Sequence, residues 1–368
     1  MLWTGKGLKI GDLNARLPII QGGMGIGISL SGLAAAVADA GGVGVISAAG
    51  IGMTEKDYAG NFVESNIRAL KSEIRKAREK TKGVLGVNIM VAMSNFTEMV
   101  KAAIEEKIDI IFAGAGLPLS LPSFIGPDAR TKIVPIVSSA RAAALISKRW
   151  FEKFKYAPDA IVVEGPLAGG HLGFSEEQIK DPELRLEKIV ADTIFAIRET
   201  EEKSGKTIPV IAAGGIYSGA DIFQFMKLGA SGVQMATRFV TTVECDASDG
   251  FKQTYIDCRE DDIRIIKSPV GLPGRAIVND FLIDVESGKK RPPKCPYHCI
   301  ITCKEESSPY CISLALMNAK RGRMKSGFAF AGANAYRAEE ITSVQEVMET
   351  LASEYNEAAA TASADAGK

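Results

Sequence analysis

The chain has 368 residues, 46% of them hydrophobic, and its 44 basic side chains balance 44 acidic ones. That length and apolar content allow a large core, built as one barrel with additions or as two ordinary domains, while the even charge gives no reason to expect nucleic acid or an anionic membrane surface as partner. The opening stretch MLWTGKGLKIGDLN lacks the apolar centre of a secretion signal and no apolar run is long enough to cross a bilayer, so a cytoplasmic protein without membrane contact is expected.

Leu17 to Gln21 reads as a short apolar strand running into Gly22-Gly23-Met24-Gly25, after which Ser31 is expected to cap a helix of small residues closed by Gly41 and Gly42. The same alternation continues. Val43–Ala48 is a strand, 58–80 an amphipathic helix, and Val84–Met90 a strand whose one polar residue is Asn88. A helix over 95–107 precedes the apolar run 108–116, which ends in Gly114-Ala115-Gly116. A strand over 132–139, a helix over 140–154, a strand over 159–165 and a long charged helix over 182–203 follow. The last unit is the clearest: strand Ile208–Ala213 ending in Gly214-Gly215, a helical pattern, and strand Gly232–Ala236 ending at Thr237.

Eight apolar strands separated by helical segments predict an α/β fold, a closed parallel (β/α)8 or TIM barrel over residues 1–243. A doubly wound open sheet is the rival, but it gives no reason for glycines at so many strand ends. Residues 244–335 lose the rhythm, with charged stretches, turn signals at 272–274 and 292–293 and a run of cysteines, and are expected to form an accessory segment at the barrel mouth. Residues 336–368 should supply a closing amphipathic helix from 338 to about 358 and a frayed tail, AAATASADAGK.

Two neighbouring strand ends, at Gly214-Gly215 and at Ala236-Thr237, can turn backbone N–H groups toward one anion, and in such barrels a phosphate commonly rests after strands 7 and 8. Only two histidines occur, His171 and His298. His171 follows strand 6 within a glycine-rich loop over the mouth, where an imidazole with an ordinary pKa near neutrality suits general acid or base work. Asn88 could bond the edge of a polar heterocycle or simply tie down the next loop. Cys295, Cys299, Cys303 and Cys311 follow a C-x3-C-x3-C-x7-C spacing that could gather four thiolates on an iron-sulfur cluster or a zinc ion, with His298 as a spare ligand; free thiols are the third reading.

Taken together, Gln21-Gly-Gly-Met24, Gly86-Val-Asn-Ile-Met90, Gly114-Ala-Gly116, Glu164-Gly with Ala168-Gly-Gly-His-Leu-Gly173, Ile211-Ala-Ala-Gly-Gly-Ile216 and Gly232-Val-Gln-Met-Ala-Thr-Arg-Phe239 resemble the nitronate monooxygenase (2-nitropropane dioxygenase) family and its relative, the flavin-type enoyl-ACP reductase. The resemblance covers about the first 240 residues. It implies a barrel that binds FMN, the phosphate held around Gly214, Gly215, Ala236 and Thr237, with Gln234 and Met235 lining the approach. Met24 is expected against the ring, Asn88, Glu164, Gly169 and Gly170 beside the flavin, and His171 as the active-site histidine. Two departures stand out: Ala236 replaces a frequent Gly, and Glu164 replaces the Gln of many monooxygenases, as in the enoyl reductases. The region after 245 fits neither branch.

The implied activity is oxidation of alkyl nitronates with O₂. One alternative is an NAD(P)H-dependent enoyl thioester reductase, for which NAD(P)H would be the co-substrate. Another is a flavin electron-transfer module, against which His171 speaks. An inosine monophosphate dehydrogenase type is set aside, since no cysteine precedes Cys245. A small-molecule substrate and a homodimer complete the expectations.

Overall fold

The computed structural model describes residues 3–126, 129–290, 294–295 and 297–366. The turn expected at 292–293 and the last two residues of the tail lie outside them. Eight parallel strands close into a barrel in sequence order: β1 (Ile19–Gln21), β2 (Val43–Ser47), β3 (Val84–Met90), β4 (Ile110–Gly114), β5 (Lys132–Val137), β6 (Ile161–Glu164), β7 (Val210–Ala213) and β8 (Gly232–Met235), with β8 pairing back onto β1. Each strand is apolar on both faces because one face fills the barrel and the other packs against helices. Ile20, Val43, Val45, Ile110, Phe112, Val134, Val162 and Ile211 form the inner core. A hairpin, Leu8–Ile10 with Leu13–Ala15, adds Leu8, Ile10 and Ala15 to that inner core. The register aligns Ala213 with both Glu164 and Gln234, and Ser47 with Asn88, so polar side chains share a level at the C-terminal rim.

Several local expectations need correction. Ser31 does not cap its helix (Ser31–Asp39); its side chain makes no cap bond. The carboxylate of Asp246 accepts from the N–H groups of Leu30, Gly32 and Leu33 at 2.7, 3.2 and 3.1 Å, and Glu73 accepts from that of Ser31 at 3.0 Å. Two carboxylates at a helix N-terminus satisfy orphan donors and match the dipole better than a serine hydroxyl. The long helix expected over 182–203 is two, Leu186–Ala196 and Arg198–Ser204, after a short turn at Pro182–Leu184. Nor does the tail fray where expected: Val344–Ala366 is one helix, because its alanines are strong helix formers. That helix lies along Gly219–Lys227, where Glu354 accepts from the Gly219 N–H at 2.6 Å and Tyr355 stacks on Trp3 at 4.0 Å.

Residues 244–335 build a small layer with its own core of Ile266, Val270, Phe281, Tyr310 and Phe328, among others. In it, β9 (Ile263–Lys267) pairs antiparallel with β10 (Pro273–Ile277), which pairs with β11 (Ala329–Phe330) and with a two-residue strand, Gly170–His171, from the loop after β6. The accessory layer is therefore stitched to the loop that carries the histidine. Among the described residues, no helix is long and apolar enough to cross a membrane.

Candidate functional site

The strand ends surround a cavity of about 320 Å³ at the C-terminal mouth of the barrel. Met24, Asn88, Glu164, Gly169, Gly170, His171, Gly214, Gly215, Gln234, Met235, Ala236 and Thr237 all line it. The structure thus gathers these twelve residues around one cavity, while Gln21 and Gly116 lie outside its lining. The four clustered cysteines divide: Cys299 reaches this cavity, while all four line a second, smaller one beside it.

At one end of the cavity, Gly214 and Gly215 take φ of 91° and 88°, a left-handed conformation that favours glycine. A Cβ on Gly215 would also meet that of Leu167 at 2.9 Å. The Gly215 carbonyl accepts from Asn334 Nδ2 at 2.6 Å, and Thr237 Oγ1 accepts from the Gly332 N–H at 3.1 Å, so the loop 331–334 closes this corner. Thr237 opens the short helix Thr237–Val240, whose first amides have no partner within the helix. The guanidinium groups of Arg238 and Arg337 lie 5.0 and 4.4 Å from the centre of the ring of Tyr217, a residue of the cavity lining. A glycine-lined corner at the start of a helix suits an anion.

His171 lines the same cavity. Its Nε2 lies 2.7 Å from Ser268 Oγ, and Phe330 meets the ring edge to face at 4.9 Å between centres. Burial pushes its pKa down to about 4, which leaves the imidazole neutral around pH 7. The expectation of a near-neutral pKa at this position is corrected accordingly: charging the ring costs desolvation that no nearby carboxylate repays. Glu164 responds to the same environment in the opposite sense. Its carboxyl has no hydrogen-bond or ion-pair partner among the described residues, and burial raises its pKa to about 7. A sizeable fraction is protonated at neutral pH and can donate a hydrogen bond into the cavity.

The loop that carries His171 is held by a residue that the sequence gives no reason to choose. Arg275, buried in β10, donates through Nη1 to the carbonyls of Pro166 and Ala168 at 2.7 and 2.6 Å. Gly169 must be glycine because a Cβ there would come within 2.5 Å of the Gly332 amide nitrogen. Gln21, fully buried, accepts from the Val45 N–H at 3.0 Å and donates to the carbonyls of Gly22 and Val45, tying the ends of β1 and β2 together. Ser268, Arg275, Phe330 and Asn334 act on residues about a hundred positions or more away in sequence, and no local pattern announces such pairs.

Comparison with known proteins supports the same architecture. The chain is 26% identical over 273 residues to the (3aS,4S,5R,7aS)-5-hydroxy-7a-methyl-1-oxo-octahydro-1H-indene-4-carboxyl-CoA dehydrogenase of Mycobacterium tuberculosis, covering 74% of this chain and 66% of that one. This chain therefore spans slightly under two thirds of the length of that dehydrogenase. It is 27% identical over 295 residues to a probable nitronate monooxygenase of Staphylococcus saprophyticus, covering 74% and 78%. Among solved structures, FabK from Thermotoga maritima superposes with a TM-score of 0.72 at 27% identity, covering 95% of this chain and 96% of that one. The model of the nitronate monooxygenase family matches residues 7–354, and the chain belongs to that family.

Proposed function

We propose that the protein is an FMN-dependent oxidoreductase of the nitronate monooxygenase type, oxidising small alkyl nitronates with O₂ in the cytoplasm. The observation that carries this reading is the meeting, in one cavity, of a glycine-lined corner at Gly214-Gly215 and Ala236-Thr237 with a neutral imidazole. The residues present fit a flavin mononucleotide. The start of the helix Thr237–Val240 beside Gly214 and Gly215 offers backbone amides for a phosphate, Asn88 and Glu164 offer polar contacts to a heterocycle, and the glycines leave room for a flat ring. When bound, FMN supplies the redox chemistry.

The chain's own residues select and place the substrate. A buried imidazole with a pKa near 4 is a weak base, so His171 serves best by hydrogen-bonding a nitronate oxygen and not by deprotonating a neutral nitroalkane. Ser268 fixes the ring's orientation through Nε2. Glu164, when protonated, presents a donor without repelling an anion. Leu272, Val270 and Phe330 from the accessory layer add apolar surface to the cavity lining.

A second reading has its own support: reduction of an enoyl thioester with NAD(P)H. Glu164 stands where that branch has its carboxylate, and one relative is named as acting on a carboxyl-CoA thioester. Anaerobic mixing of the FMN-loaded protein with a nitronate, NADH and NADPH in turn separates the two. Bleaching of the flavin absorbance by nitronate alone supports the first. Bleaching by a nicotinamide but not by nitronate moves the assignment to the reductase, and no bleaching by any of the three removes both.

A further inference from the structure

Outside the barrel mouth, the stretch 295–311 assembles chemistry that the proposed oxidation does not use. Cys295, Cys299, Cys303 and Cys311 are all free, all half-buried, and all line one small cavity together with His298, Glu305 and Tyr310. Three of the four sulfurs already meet polar groups of their own segment. The His298 N–H donates to Cys295 Sγ at 3.4 Å, Cys299 Sγ lies 3.1 Å from Ser313 Oγ, and Cys303 Sγ lies 3.7 Å from Ser308 Oγ. Cys311 immediately precedes the helix Ile312–Lys320, whose N-terminal end is electropositive. Tyr310 is only 5% exposed, yet its hydroxyl has no partner among the described residues. A polar group buried that deeply ordinarily has one, so the cavity wall is built for a guest.

We propose that Cys295, Cys299, Cys303 and Cys311 hold a [4Fe–4S] cluster against the outer wall of the barrel-mouth cavity. Sulfur spacing separates this from zinc. A tetrahedral ion with metal–sulfur bonds of about 2.3 Å draws its four thiolates to about 3.8 Å from one another. Here no three of the four sulfurs lie within 4.8 Å of one another; the trio that does, among the described residues, is Cys295, His298 and Glu305. Glu305 in that trio already accepts the Cys295 N–H at 2.5 Å, and His298 is exposed, which makes a poor cage for a single ion. A four-iron cubane places iron and sulfide between the thiolates, so its ligands stand further apart than those of a single ion. A hydrogen bond to a sulfur, such as the one His298 N–H donates to Cys295, is among the features that set a cluster's potential.

The ring is anchored to the barrel. Ser94 donates its N–H to the Cys299 carbonyl at 3.1 Å and Ile301 donates to that of Ala92 at 2.9 Å, joining the segment to the loop after β3. Cys299, Ile300 and Ile312 face both cavities, so the two share a wall. The site stands on the cysteines alone and does not depend on which cofactor occupies the barrel.

The test is metal analysis of protein purified without oxygen. About four irons and about four acid-labile sulfides per chain are expected, with a paramagnetic resonance signal after dithionite reduction. Cys303→Ser and Cys311→Ser should lose most of that iron while keeping the native circular dichroism spectrum; Cys258→Ala, outside the ring, and His298→Ala should keep it. Zinc, iron without sulfide, or no metal even after reconstitution with iron and sulfide overturns the proposal. So does loss of metal on replacing His298, which would assign the ion to the Cys295–His298–Glu305 trio. The wild-type ratio of iron to sulfide decides the matter even if a variant does not fold.

Discussion

Glu164 and His171 stand in the same cavity and are moved apart from opposite starting points by one cause. Burial favours the neutral form of each, raising the carboxyl to about 7 and lowering the imidazole to about 4. For Glu164 the folded chain holds its proton more tightly than the unfolded chain does. The stability it permits is complete below the ordinary carboxyl value of 4.5 and is lost as pH rises through about 7. Glu164→Gln removes that loss, so the flavin-free variant should gain about 3 kcal/mol over wild type in urea denaturation near pH 8 and gain nothing near pH 4. Equal stability at the higher pH would mean that the carboxyl is solvated. For His171 the sign reverses: its contribution is whole above 6.5 and is lost as pH falls through about 4. His171→Ala should retain the flavin and lower kcat by roughly a hundredfold. The wild-type kcat should show no imidazole ionisation between about pH 5.5 and 8, and an inflection near 6.5 that vanishes in the variant would mean that the imidazole titrates normally.

The working parts are held in place by elements, and the elements by contacts from far along the chain. Asp246 accepts three backbone bonds at the start of the helix Ser31–Asp39. Asp246→Ala should therefore cost about 2 kcal/mol by chemical denaturation, whereas Ser31→Ala should cost little. A serine before a helix was the visible cue here, and it misled because the partner lies over two hundred residues downstream. The same distance hides the Arg275 grip on the β6 loop and the Ser268 contact to His171. The strand ends, by contrast, were legible: an apolar run stopping at Gly-Gly reflects a purely local demand for positive φ. Gly215→Val violates that demand and drives its side chain into Leu167. Its expected outcome is a folded protein by circular dichroism whose FMN affinity falls at least tenfold in a fluorescence titration; undiminished affinity would take the phosphate away from this corner.

At the scale of the whole molecule, a parallel barrel supplies eight strand ends on one rim, and the layer built by residues 244–335 adds to the wall of the cavity there. The barrel was readable because a parallel sheet repeats one pattern, an apolar strand and then a helix. The accessory layer was not, since β9, β10 and β11 are short and β10 pairs partly with the loop that bears His171. The closing helix ran further than expected because alanine-rich sequence without a bulky apolar stripe still propagates a helix once packing has begun it. The proposal these features bear on is that the cavity takes FMN, with its phosphate at Gly214-Gly215 and Ala236-Thr237. The most direct measurement is the flavin released by heat from the purified protein, or taken up by the stripped protein, identified by chromatography. The account predicts about one FMN per chain; a colourless protein that takes up no FMN on reconstitution would contradict it.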